Sequence, residues 1–289
     1  MSSARTAILT LSAMLAFAGN SLLCRLALNQ GGMDPASFTS LRLLAGAVTL
    51  WLVVWLSQAK ANAARQGSWG SGVALYVYAG TFSAAYVTLT AGTGALLLFG
   101  AVQLTMMGCG LWRGDRLRLR QWAGLAVALA GLVLLLLPGV SAPPMEGAGL
   151  MLLSGCAWGF YSLRGQRQGD PMQVSAGNFL RAVPLAVGMS LLLLDRAHVS
   201  GPGVGYALLS GAVTSGLGYA IWYAAVPHLK AATAATVQLS VPLLASFAGI
   251  LFLGETWTLR LSLASLAILG GIALVLGDRQ RAKLESDAS

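Results

Sequence analysis

Acidic residues are scarce in this chain, and none interrupts a long apolar run. Asp and Glu number 9 and Lys and Arg 18 among 289 residues, so charged residues make up 9% against a hydrophobic fraction of 56%. A water-soluble domain carries roughly a quarter charged residues, which excludes water as the main solvent for most of this surface. Histidine is nearly missing too. The 2 present, His198 and His228, fall in loops between apolar segments, too few and too peripheral for a metal site. The 3 cysteines, Cys24, Cys109 and Cys156, sit inside apolar segments and read as small buried hydrophobes, not as a disulfide framework. The signatures of nucleophile-elbow hydrolases, zinc proteases and phosphate-loop enzymes do not occur. No cofactor is expected, and the alternative of another class is a membrane-embedded enzyme or a scaffold without transport.

What the chain has in quantity is uninterrupted apolar length. Crossing about 30 Å of hydrocarbon takes about 20 apolar residues per helix, so this chain accommodates about ten spans with short connections. A β-barrel would show short segments of alternating polarity, whereas Gly124 to Leu137 is apolar without a break. Hydropathy and breaker residues predict spans at 6–28, 36–57, 71–90, 94–112, 121–138, 147–165, 172–194, 204–226, 231–253 and 260–277. Pro35, Pro171 and Pro202 stand at or just before helix starts, where a missing N–H costs little. The first segment resembles a signal peptide around Ala16-Phe17-Ala18. Its apolar pattern runs on to Leu28, so it reads as a retained helix. The fold class expected is an all-α membrane protein with ten transmembrane helices.

The basic residues divide unequally between the two sets of loops and span ends. One set holds Arg5, Lys60, Arg65, Arg113, Arg116, Arg118, Arg120, Arg164, Arg167, Lys230, Arg279, Arg281 and Lys283; the other holds only Arg196 and Arg260. That asymmetry puts both termini in the cytoplasm of a multi-pass protein of the cell inner (plasma) membrane. Basic loops beside anionic lipid need no further partner, and no nucleic acid is expected.

The two halves repeat one another. Arg113-Gly114-Asp115 matches Leu253-Gly254-Glu255, and Leu129-Ala130-Gly131 matches Leu269-Gly270-Gly271. Asp34-Pro35 matches Asp170-Pro171, Leu41-Arg42 matches Leu180-Arg181, and Ala16-Phe17 with Ser21 aligns with Ala157-Trp158 and Ser162. Each match is weak alone, but their order is kept along both halves. Residues 1–140 then form a first five-helix repeat and residues 141–289 a second. An odd number of helices per repeat inverts the second copy, which supplies two related gates for alternating access.

These features resemble the drug/metabolite transporter superfamily, in particular its ten-helix EamA-type members. The likeness covers essentially the whole chain and is carried by the Gly-acid pairs Gly114-Asp115 and Gly254-Glu255, by Trp158-Gly159 and by Pro242. Val102 stands where span four would match that proline. Within the superfamily the chain looks most like the YddG-type amino-acid exporters. The resemblance implies a small-molecule cargo and a lipid bilayer as partners, and an exporter of aromatic or apolar amino acids and related metabolites. Another metabolite, a nucleotide sugar or a drug is the alternative cargo. All 9 acids lie at predicted helix ends or in loops. An intramembrane carboxylate is a common proton or cation site, so its absence favours facilitated movement of a neutral or zwitterionic solute.

Candidate substrate-binding residues follow from what is polar or aromatic within spans. Arg181 is ten residues into span seven, roughly 15 Å deep by helical rise, and is either a carboxylate anchor or a link to a neighbouring helix. Arg42, nearer the outer face, can snorkel. Phe17 and Asn20 share a face of span one, Trp158 and Tyr161 a face of span six; Tyr78, Phe82 and Tyr86 step by four through span three. Phe99 and Gln103 do the same in span four, with Trp222 and Gln238 as second-half counterparts. Taken singly each suits packing or interhelical hydrogen bonding; as a set they suit a cavity with π faces for a side chain and an ammonium. Spans five and ten carry small residues four apart, Ala126 with Ala130 and Ala267 with Gly271, and are placed outside that cavity.

Overall fold

The computed structural model describes residues 3–57, 66–114, 117–139, 142–165, 170–229 and 237–287, with side chains to Gly277. Lys60, Arg65, Arg116, Arg167, Lys230, Arg279, Arg281 and Lys283, on which the orientation argument draws, lie outside these residues or have side chains outside them, as do Asp115 and the start of the ninth predicted span. Among the described residues the chain is helical throughout. The elements are α1 (Ser3–Arg25, continued by a wide π turn at Leu26–Gln30), α2 (Pro35–Leu56), α3 (Trp69–Tyr86), α4 (Ala91–Trp112) and α5 (Leu119–Leu136). The second half holds α6 (Met145–Gly165), α7 (Pro171–Leu192), α8, α9 (Ser240–Leu253) and α10 (Leu259–Asp287). Helix α8 is continuous but changes pitch, from Gly201–Leu209 through a π-helical stretch at Ser210–Leu217 to Gly218–Ala225. Among the described residues seven helical segments are long and apolar enough to cross a membrane, by length and composition: those of α1, α2, α4, α5, α7, α8 and α10.

Short polar residues set the helix starts. Asp34 accepts from the backbone N–H groups of Ala36 (3.0 Å) and Ser37 (2.9 Å), and Asp170 from those of Met172 (2.8 Å) and Gln173 (3.2 Å), each ahead of a proline at the first helical position. A side-chain acceptor satisfies donors that the first turn leaves free, and proline lacks only a donor that has no helical partner anyway. Ser68, Thr90 and Ser200 cap α3, α4 and α8 in the same way. Thr90 brings the start of α4 forward to Ala91, three residues before the predicted boundary, and α3 ends at Tyr86, four residues early. Gly114 (φ 95°) and Gly254 (φ 65°) turn the chain out of α4 and α9 in left-handed conformations that a Cβ resists.

The halves interlock rather than lie side by side. Helix α1 packs on α8 and α9, α2 on α7 and α8, α3 on α6 and α7, and α4 on α6 and α9. Helices α5 and α10 pack chiefly on each other, through Gly124 and Ala128 against Gly271, with α4 as their shared neighbour. Polarity is arranged inside out. Trp51, Trp55, Phe247, Leu251 and Leu266 are exposed, while Asn20, Thr39, Arg42, Ser83, Ser154, Asn178, Ser210 and Ser215 are buried. Such a surface suits hydrocarbon, and helices that satisfy their own backbone are what hydrocarbon demands.

Asp34 does more than cap α2. Its second carboxylate oxygen accepts from His198 N–H at 3.0 Å, and its own N–H donates to His198 O at 2.9 Å, tying α2 to the α7–α8 connection. Burial pushes this carboxyl up, but hydrogen bonds from Ser37, His198 and Ala36 outweigh it and hold the group below its usual range. A depressed folded-state value means the stabilisation is complete above the unfolded-state value of about 3.9 and is lost as pH falls through the lower, folded value. Asp34→Ala should cost about 1 kcal/mol of cap energy near neutral pH. Thermal unfolding in detergent should show the gap between wild type and variant closing below about pH 3. A gap independent of pH would show that the carboxylate is not what stabilises this corner.

Candidate functional site

Ten aromatic rings from five helices form one connected network in the bundle interior. Helix α3 supplies Tyr78, Phe82 and Tyr86 at four-residue steps, with centroids 5.6 Å and 4.7 Å apart along the series. Trp158 on α6 lies 4.7 Å from Tyr78, 5.1 Å from Tyr161 and 5.6 Å from Tyr219 of α8. Tyr219 in turn meets Phe17 of α1 at 6.0 Å, Phe179 of α7 at 5.8 Å and Tyr223 at 6.3 Å, and Phe17 meets Trp222 at 6.1 Å. Edge-to-face and offset contacts of this kind each add about 0.5–1.5 kcal/mol beyond area burial. The network couples α1, α3, α6, α7 and α8.

Arg42 enters this network from α2. It is 2% exposed, so it does not snorkel as its sequence position allowed. Nη2 donates to Tyr78 Oη at 3.1 Å and Nε to Ser215 Oγ at 3.4 Å, while Cζ lies 4.9 Å from the Phe82 centroid and 5.5 Å from that of Tyr78. Nη1 is buried and has no hydrogen-bond partner among the described residues. The π-helical stretch of α8 brings Ser215 here, and Gly211 in that stretch lies so close to the Arg42 carbonyl that a Cβ would collide with it. The same stretch presents Ser210 and Thr214 to Asn20 of α1: the Ser210 hydroxyl donates to Asn20 Oδ1 at 2.7 Å, and Thr214 lies 3.3 Å from that oxygen. Thr39 donates to Ser83 at 2.8 Å nearby.

Both ends of the bundle are tied across helices. At one end Arg25 Nε pairs with Glu255 Oε1 at 3.3 Å, with both side chains mostly buried, and Arg25 Nη1 donates to Tyr86 O at 2.8 Å. Glu255 also accepts from Ala91 N–H at 3.0 and 2.9 Å, at the start of α4, where the helix dipole favours a negative charge. Gly254 supplies the turn that aims it. At the other end Asn178 Oδ1 accepts from Ser68 N–H at 3.0 Å, Arg164 Nε donates to Ser71 Oγ at 3.4 Å, and Arg181 Nη1 donates to Gln66 O at 2.7 Å and Gly177 O at 2.8 Å. Arg181 is therefore near the level where α3 begins. Its depth along α7 does not translate into depth in the bundle, because the first turns of α7 precede the start of α3.

Of the residues singled out by sequence, Phe17, Tyr78, Tyr86, Trp158, Tyr161 and Trp222 are members of the ring network, and Asn20 belongs to the adjoining hydroxyl cluster. Phe99 is half-buried and packs at the border of the two apolar clusters. Gln103 and Gln238 are half-buried and are not hydrogen-bonded to Arg42 or Asn20. Arg181 is engaged with backbone carbonyls outside the network. Sequence reading passed over Phe179, Tyr219, Tyr223 and Ser215, and ranked Arg42 below Arg181. Tyr219 and Tyr223 carried a usable signal, the same four-residue aromatic step as α3.

An apolar exterior, a polar and aromatic interior, and hydrogen-bonded closures at both ends are the attributes of a multi-pass membrane transporter. The chain belongs to the EamA-like transporter family, whose model matches it twice, over residues 4–137 and 145–277. An uncharacterized protein of Pseudomonas aeruginosa is 57% identical over 275 residues, covering 95% of this chain and 96% of that one. The threonine/homoserine exporter RhtA of Escherichia coli is 34% identical over 143 residues, which is 47% of each chain. A crystal structure at 19% identity superposes with a TM-score of 0.67, covering 95% of this chain and 98% of the other, and supports the fold alone.

The Arg25–Glu255 tie should govern access from its end. Cys24, adjacent to Arg25, is fully buried. With Cys109 and Cys156 changed to Ser, Glu255→Ala should speed maleimide labelling of Cys24. Loss of a charged hydrogen-bonded pair at about 1.5 kcal/mol corresponds to roughly tenfold more of the open form. Unchanged labelling would mean that other contacts hold this end shut.

Proposed function

We propose that the protein is an inner-membrane carrier that exports amino acids, aromatic or apolar, and related metabolites by alternating access. In this reading all ten helices span the membrane as two inverted repeats, residues 1–140 and 141–289, with both termini in the cytoplasm. The observation that carries it is the ring network with its buried guanidinium and hydroxyls, enclosed between two tied ends. A binding centre flanked by two gates is what alternating access requires. The relative RhtA, a threonine/homoserine exporter, supports an amino-acid cargo. The aromatic lining supports larger side chains than threonine, and Phe17, Asn20, Tyr78, Tyr86, Phe99, Gln103, Trp158, Tyr161, Arg181, Trp222 and Gln238 remain the sequence-derived candidates for its contacts.

Flux into sealed proteoliposomes tests the reading. Phenylalanine and threonine are expected to move down their own gradients without an imposed proton gradient, since Asp34, Glu146, Asp170, Asp195 and Glu255 all stand at or beyond helix ends. A strict need for a proton gradient would reveal a protonation site elsewhere. Trp158→Ala should weaken phenylalanine transport several-fold more than threonine transport, as expected from about 0.5–1.5 kcal/mol of lost stacking. Equal losses that follow the yield of folded protein would assign Trp158 to packing.

Orientation has its own test. Cysteines introduced for Met145 and for Arg113, both exposed, should react with an impermeant reagent from opposite sides of the membrane. Labelling from one side would end the inverted arrangement.

A further inference from the structure

We infer that Arg42 is the seat for a carboxylate, and that the carrier's preferred cargo bears one. The inference rests on the transport reading for its cargo, but the chemistry of the seat stands on the geometry around the guanidinium.

An arginine keeps its charge at any accessible pH and offers five N–H donors in a planar fork. Here that charge is 2% exposed, and among the described residues its polar and ring contacts are neutral: the Tyr78 hydroxyl, the Ser215 hydroxyl and the ring faces of Phe82 and Tyr78. Neutral acceptors and π faces soften the cost of burial without neutralising the charge. Glu255 does not answer it, being held by Arg25 and by the N-terminus of α4. Asp34 is likewise occupied at the α2 cap.

The fork is also incompletely used. Nη2 makes one good bond, Nε a long one, and Nη1 none among the described residues. A native interior rarely leaves a buried charged donor unmatched unless something else matches it. Two parallel N–H groups match the two oxygens of a carboxylate, giving geometric selection as well as charge neutralisation. A single guanidinium balances one negative charge, which favours a carboxylate over a doubly charged phosphate. The site then binds an amino acid through the group that all amino acids share, while the rings sort the side chains. Arg181, at the matching place in the second half, is bonded to Gln66 O and Gly177 O, so the two halves use the same residue type differently.

The test pairs each amino acid with its amino alcohol, which replaces the carboxylate by a hydroxymethyl group and keeps everything else. Binding of L-phenylalanine and L-phenylalaninol, and of L-threonine and L-threoninol, is followed by tryptophan fluorescence of the full chain in nanodiscs. Wild type should favour an acid over its alcohol by at least about tenfold. Arg42→Gln should remove that preference by weakening the acid far more than the alcohol. Arg42→Lys keeps the charge without the fork and should bind the acid at least about threefold more weakly than wild type; it also serves if the Gln variant does not fold.

Equal binding of acid and alcohol by wild type overturns the inference. So does a preference that survives in Arg42→Gln, or unchanged acid affinity in Arg42→Lys. Flux of the same four compounds in proteoliposomes separates the two claims. Acid-selective, Arg42-dependent binding without flux retains the seat and defeats the carrier reading. Acid flux that is indifferent to Arg42→Gln retains the carrier and defeats the seat.

Discussion

A guanidinium taken out of water costs several kcal/mol even after the protein relaxes around it, and the interior of this bundle is organised around accommodating one. Arg42 draws together a hydroxyl from α3, a hydroxyl from α8 and two ring faces. The wide turns of α8 put Ser215 within reach, and the close approach of Gly211 lets α8 run against α2 at that level. The aromatic network then extends outward from Tyr78 through Trp158 and Tyr219 to four further helices. Remove the charge and these features lose their common reason. With it in place, α1, α2, α3, α6, α7 and α8 share one centre.

The two ends are held by different chemistry. One depends on a carboxylate placed between a guanidinium and the positive end of α4, a small charged unit in which Glu255 serves two helices at once. Among the described residues the opposite end shows neutral acceptors: an amide oxygen for Ser68 N–H, a serine hydroxyl for Arg164 and backbone carbonyls for Arg181. An ion pair breaks at a cost that depends on how water reaches both partners, whereas hydrogen bonds to backbone exchange readily for water. The described contacts at the two ends thus differ in kind, despite the sequence repeat that places a Gly-acid pair after each fourth helix.

Most of the helix layout was readable in the sequence, because hydrocarbon leaves little choice. Runs that cannot face water must satisfy their own backbone, and the Asp-Pro pairs mark where two of those runs begin. The predicted limits erred where a hydroxyl cap decides the boundary, as Thr90 does for α4. The site was only partly readable. Four-residue steps on α3 and three-residue steps on α1 and α6 group Tyr78, Tyr86, Phe17, Asn20, Trp158 and Tyr161 on faces that turn into the bundle interior. Arg42 and Arg181 could not be separated this way. Depth in a bundle depends on how far each helix is displaced along its neighbours, and α7 starts well ahead of α3. Tyr219 and Tyr223 repeat the four-residue step of α3, but the π-helical stretch ahead of them breaks the 3.6-residue period that would relate their face to the first turns of α8.

That stretch also fixes an angle. Side chains on an α-helix advance by about 100° per residue, and a π-helical turn absorbs an extra residue without that advance. The two ends of α8 are therefore phased by how this stretch is wound as much as by side-chain identity. Winding the same residues of Ser210–Leu217 as regular α-helix would swing Tyr219, Trp222 and Tyr223 about 100° around the axis, off Phe17 and Trp158, while the first turns of α8 kept their place against α2. Substitutions that keep the wide turns change one contact each; one that restored regular winding would rotate half a helix, so the wide turns between Ser210 and Tyr219 are themselves part of the site.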